Sequence, residues 1–150
     1  MDRSLSGPHP VGLLAQPQVI SSSANWSYVQ TEQNCERCEA RPKPGYRSST
    51  RGAALVLSTQ ASGEHFLRVG HLGTRASDAA ASLTCVAGCS CAELLILANA
   101  SKGRFDRTTT TEFSPWHLVR APAERACHVA LTLRTQAQPF KLVALHVRSA

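Results

Sequence analysis

"CHVALTLRT", Cys127 to Thr135, is the stretch that decides the fold. Val129, Leu131 and Leu133 fall on one side of a period-two repeat. His128, Ala130, Thr132 and Arg134 fall on the other. Residues two apart share a face on a strand and never on a helix, so this is a strand with one apolar side. The same alternation recurs outward along the chain. "AALVLST" (53–59) sets Leu55 and Leu57 on one face, and "HFLRVGHL" (65–72) does so with Leu67 and Val69. "SLTCV" (82–86) turns Leu83 and Cys85 inward, and "FKLVALHVRS" (140–149) alternates Val143, Leu145 and Val147 against Leu142, Ala144 and His146. "WSYVQ" (26–30) reads as an opening strand and "WHLVRA" (116–121) as an edge strand. "ELLILAN" (93–99) reads as a short buried strand.

About eight short strands result, separated by turn-like segments such as "RPKPGYRSSTRG", "QASGE" and "AGCS". Strands at this spacing without an amphipathic helix predict an all-β, single jelly-roll-like antiparallel β-sandwich. The module is expected over residues 26–150. Residues 1–25, rich in Ser, Pro and Gly, read as a poorly ordered tail. The "TTTT" tract (108–111) reads as exposed loop or strand edge.

Composition narrows the function classes. The chain has 150 residues, 43% hydrophobic and 17% charged, which suits one globular domain. No apolar run approaches the roughly 20 residues of a membrane span. The formal charge is +6, but each half of the chain carries eight basic and five acidic residues. Nucleic-acid binders gather their basic residues into a patch or stripe, so nucleic acid is not expected as a partner. Six cysteines form an even set that suits disulfides in an oxidising compartment. Two glycosylation sequons, at Asn25 and Asn99, point the same way, toward the secretory pathway or the cell exterior. "MDRSLSGPHPVGLLAQPQVI" is not a signal peptide, because prolines interrupt its one apolar stretch; a luminal or secreted protein would carry one upstream.

Candidate chemistry has to be weighed against ordinary structural roles. Cys35 and Cys38 with Cys89 and Cys91 supply four thiols, enough for a structural zinc site. About fifty residues separate the pairs, and disulfides explain them more simply, so no metal and no cofactor is expected. A redox Cys-x-x-Cys acts at a helix N-terminus, whereas Cys35 and Cys38 sit in a polar, loop-like stretch. No G-x-S-x-G or G-D-S segment marks a hydrolase nucleophile. Sugar binding needs exposed aromatic faces with polar neighbours. The candidates are Trp26, Tyr46, Arg47 and Trp116, although the two tryptophans fit better as plugs of the core.

The order "WSYV…KPGY…GAALVLST…HFLRVGHLGT…ASLTCVAGCSC…CHVALTLRT…FKLVALHV" resembles the C-terminal region of SGNH/GDSL-type hydrolase-like proteins of green algae and other protists. The counterparts are Trp26, the Lys43–Tyr46 segment, Leu55 and Leu57, the Leu67–Leu72 strand, Cys85 to Cys91, Cys127 to Val129, and Phe140 to Leu142. The resemblance covers about residues 26–148, and the C-x-x-x-C-x-C segment is its most specific part. It implies a non-catalytic sandwich, carbohydrate-associated or serving a covalently linked esterase domain. The alternatives are a fragment of an esterase whose catalytic domain is missing, and a purely structural or protein-interaction domain. "HPVGLLA" would align His9 with the catalytic base of such a hydrolase. The position three before it is Ser6 where the family has aspartate, so a catalytic role for His9 is at most a remnant. In a sandwich of this kind Cys127, on a late strand, is expected to pair with one of Cys85, Cys89 and Cys91. Cys35 and Cys38 would pair with each other or with that cluster.

Overall fold

A computed structural model describes residues 2–4, 18–32, 41–73, 77–99 and 110–150. Twelve strands occur among them: β1 (Asp2–Ser4), β2 (Gln18–Ser22), β3 (Ser27–Glu32), β4 (Arg41–Ser48), β5 (Ala54–Ser58), β6 (His65–Gly73), β7 (Ala80–Ala87), β8 (Leu94–Leu97), β9 (Thr110–Phe113), β10 (His117–Val119), β11 (His128–Leu133) and β12 (Phe140–Ser149). They form two antiparallel sheets. The first runs β10-β6-β12-β4-β3, with β9 beyond β10 on the same edge of β6 and β1 beside the far half of β12. The second runs β2-β5-β11-β7-β8.

The alternating leucines and valines close these sheets into a sandwich. Leu55, Leu57, Leu83, Val129, Leu131 and Leu133 of the second sheet meet Leu67, Val69, Leu142, Leu145 and Val147 of the first in one buried cluster. Each fully buried aliphatic side chain contributes about 1.5–3 kcal/mol, so one shared core accounts for the two-layer arrangement. The all-β jelly-roll-like sandwich read from the sequence is the fold of the chain.

The structure differs from the sequence reading in the number and bounds of strands. β4 lies in "RPKPGYRS", which reads as a turn because of Pro42 and Pro44. β12 pairs only with Tyr46–Ser48, so the proline half of β4 is laddered by β3 alone. One-sided pairing tolerates a missing N–H. β9 takes in the end of the threonine tract and pairs with Gly70–Gly73. β2 precedes residue 25 and pairs with β5. The run "ELLIL" is not a buried strand. β8 is the edge of the second sheet, with Leu94 and Ile96 inward and Leu95 and Leu97 58% and 44% exposed.

β12 also departs from simple alternation. Its register against β6 shifts between Leu142 and Ala144. The extra residue at this bulge flips the face. Leu142 therefore joins Leu145 and Val147 in the core, while Ala144, His146 and Arg148 occupy the other side.

Candidate functional site

The bulge determines what the outer face of the first sheet displays. On β6, Leu67 and Val69 point inward, so Phe66 and Arg68 point outward. Past the bulge on β12, His146 and Arg148 do the same. The β6–β12 register then sets Arg68 opposite His146 and Phe66 opposite Arg148. β9 brings Phe113 opposite Gly70. An added Cβ at Gly70 would lie 2.9 Å from the Phe113 ring, so the absence of a side chain there gives the ring its seat. Ser114 then locks the chain onto β6. Its N–H donates to the Val69 carbonyl and its Oγ accepts from the Val69 N–H, both at 2.9 Å. Two residues later Trp116 arrives over the same face.

The outcome is a ladder of alternating rings and cations. The Arg68 guanidinium lies 4.3 Å from the Phe113 ring centroid and 4.7 Å from that of Trp116. Arg148 lies 4.5 Å from Trp116 and 5.2 Å from Phe66. His146 stacks on Phe113 at 4.9 Å, and its Nδ1 accepts a bond from Arg68 Nε at 3.2 Å. Each cation–ring contact at a partly exposed site is worth about 0.5–1 kcal/mol, enough to hold the long arginine side chains in place. Phe66, Arg68, Trp116 and Arg148 are half-buried, and Phe113 is exposed. Among the described residues, Arg68 has no carboxylate partner.

A groove of about 460 Å³ adjoins this ladder along the other edge of β10, lined by Ser90, Cys91, Ala92, His117, Leu118 and Arg120. Ser90 and Arg120 exchange both main-chain hydrogen bonds, at 2.8 and 2.9 Å, which fastens the cysteine loop to the end of β10. His117 Nε2 bonds the Ala92 carbonyl at 2.6 Å. Two disulfides hold the loop itself, Cys85–Cys91 and Cys89–Cys127. Gly88 turns the chain at φ +75°, and a Cβ there would run into the Ala126 carbonyl oxygen, so glycine is required. The sulfurs of Cys85, Cys89 and Cys127 lie within 4.8 Å of one another. All three are in disulfides, and a disulfide sulfur lacks the thiolate charge that binds zinc.

The residues read from the sequence are dispersed. Trp26 is 6% exposed in the core and offers no face to a ligand. Tyr46 packs half-buried against the core, edge-on to Tyr28 at 5.2 Å. Arg47 is exposed, opposite Ser27 and Lys141. Tyr46 and Arg47 border the start of β12, opposite Leu142 and Lys141, whereas the ladder borders its end, from Ala144 to Arg148. Of the aromatic candidates only Trp116 is in the ladder. Asn25 is exposed, and Asn99 Nδ2 donates to Asp78 Oδ1 at 2.6 Å. His9, Cys35 and Cys38 lie outside the described residues. Phe66, Arg68, Phe113, His146 and Arg148 were missed. The signal for all but Phe113 is the repeated "F-x-R" and "H-x-R" on the face opposite the core residues, at 66–68 and 146–148.

Two buried polar groups support the sheet that carries the ladder. Lys141 is 2% exposed, and its ammonium reaches Glu32 Oε1 at 2.9 Å, joining β12 to β3 across β4. His71 is 2% exposed and stacks on Phe140 at 5.4 Å. Burial pulls its pKa below the ordinary histidine value, against the opposing pull of the Leu72 carbonyl and Glu112.

No protein-family model matches the chain, and no curated protein matches it either. Several solved structures do. A family 6 carbohydrate-binding module aligns with a TM-score of 0.56 and 10% identity, covering 88% of each chain. The K1 cleaved adhesin domain of Lys-gingipain from Porphyromonas gingivalis W83 aligns at 0.53 and 11%, covering 100% of this chain and 98% of its own. A two-domain esterase active on acetylated mannans aligns at 0.48 and 16%, covering 96% of this chain and 39% of its own. Nothing among these matches points to the algal and protist SGNH/GDSL proteins in particular. At such identities what the chain shares with the first two of these structures is the fold, a two-sheet antiparallel β-sandwich.

Proposed function

We propose that this chain is a non-catalytic, carbohydrate-associated accessory module, and that the outer face of its first sheet around Trp116 is the surface that meets the glycan. The observation that carries this reading is the ladder Phe113–Arg68–Trp116–Arg148–Phe66. It sets three partly open aromatic rings and two cations on one sheet face beside a groove. A sheet face is rigid, so rings fixed by neighbouring cations meet an extended polymer with little ordering cost. Four of the described histidines fit a non-catalytic role. Ring nitrogens of His65, His71 and His117 bond main-chain carbonyls, and His146 receives Arg68. In the same reading the module serves an SGNH/GDSL-type ester hydrolase, as the sequence resemblance implies. It works outside the cell or in the secretory pathway, where disulfides persist.

The test is a polysaccharide-binding screen of the chain beside its Trp116→Ala variant. At least one polysaccharide is expected to bind. The variant is expected to lose tenfold or more in affinity while keeping its far-ultraviolet circular dichroism. A screen silent for the wild-type chain overturns the reading. So does equal binding by the variant, because the face would then not be the contact surface.

A further inference from the structure

The charges on this face specify the kind of sugar. We propose that the ladder binds an acidic polysaccharide through the carboxylates of its uronic acid units, with Arg68 as the residue that reads the carboxylate. The proposal rests on the reading of the face as a glycan surface and adds the chemistry of its ligand.

Sugar binding through aromatic rings alone needs ring faces free to stack on the apolar side of a pyranose. Here guanidiniums lie 4.3 to 5.2 Å from the centroids of Phe66, Phe113 and Trp116. The cations seated on these rings therefore meet the ligand together with them. Arg68 is the better placed of the two arginines. Its Nε is committed to His146 Nδ1, which orients the guanidinium and leaves the two terminal nitrogens as a planar pair of donors. That pair matches the two coplanar oxygens of a carboxylate. Arg68 has no carboxylate partner among the described residues, so its charge is not neutralised there. Arg148 stands opposite Asp2 of β1 in the strand register, so the fork is assigned to Arg68 and not to it. The formal charge of +6 favours approach of a polyanion at low ionic strength.

The test measures binding of the chain to polygalacturonate, to the same polymer after full methyl esterification, to dextran and to dextran sulfate, each at low and high salt. Polygalacturonate is expected to bind, its methyl ester at least tenfold more weakly, and added salt should weaken the interaction. Arg68→Gln is expected to lose tenfold or more. Arg68→Lys, which keeps the charge and packs similarly, is expected to recover only part of it because it lacks the fork. Equal binding of the polymer and its methyl ester overturns the carboxylate assignment, as does tighter binding of dextran sulfate. Binding confined to neutral polymers also overturns it and leaves the glycan reading standing. Binding to none of a wider polysaccharide panel defeats both.

Discussion

Replacing Cys89 and Cys127 together by alanine opens the tie between the loop after β7 and the residue before β11. The two cysteines are 38 residues apart in sequence, and their α-carbons sit 5.2 Å apart in the fold. In the chain-entropy account, releasing a loop of that size costs about 4 kcal/mol of stability. The companion bond, Cys85–Cys91, spans only six residues, and the same account assigns it about 2 kcal/mol. Alanine is the right replacement because Cys127 is fully buried in the core cluster, where a serine hydroxyl would need a partner. At this chain length a loss of 4 kcal/mol lowers Tm by roughly 8–16 °C. Guanidinium unfolding of the wild type and both double variants measures the difference directly. The Cys89→Ala/Cys127→Ala variant should also show a steeper denaturant slope, because its unfolded chain is less compact and exposes more surface. If removing the six-residue bridge costs as much as removing the 38-residue one, loop closure is not what the disulfides contribute, and the reasoning fails.

Two further perturbations probe the buried polar groups. Glu32→Gln strands the Lys141 ammonium in the interior of the sheet, and a destabilisation of about 3–5 kcal/mol is expected in urea unfolding. Adding Lys141→Met should recover most of it, because a matched apolar side chain leaves no unpaired charge; failure to recover would mean that packing, and not charge, was lost. His71 has a folded-state pKa below its unfolded value, so the fold holds it neutral. Its contribution is fully present above the unfolded value of about 6.5 and is lost as pH falls below it. Tm is therefore expected to drop between pH 7.5 and 5, and His71→Gln should flatten that drop; an identical pH profile in the variant would rule His71 out as a source of it.

The legible parts of this fold are those where burial on one side left its mark on the residues. Val129, Leu131 and Leu133 alternate because β11 is central to its sheet and has one face on the core. β4 was hidden because prolines signal turns, and only its one-sided ladder makes them harmless. β9 was legible only as exposed loop or strand edge, because threonines at a sheet edge need no apolar alternation. β8 looked buried because Leu94–Leu97 is wholly apolar, yet an edge strand still turns half its side chains outward. The cysteine cluster was legible as a stapled connection. Which sulfurs pair followed from how closely the end of β7 and the start of β11 approach.

The functional face was only partly readable for a related reason. Trp116 was named from its residue type, but Trp26 and Tyr46, named on the same grounds, went to the core and its margin. A tryptophan carries enough apolar area to be stable in either place, and composition does not choose between them. "F-x-R" and "H-x-R" lie 80 residues apart, and nothing local links them. The sequence alone determined that the chain is a sandwich of alternating strands, because each strand must hide one face whatever its neighbours are. The tertiary structure decided which residues share the opposite face. That choice depends on strand register, and one inserted residue at the β12 bulge reverses every side chain beyond it, turning His146 and Arg148 toward Arg68, Phe113 and Trp116.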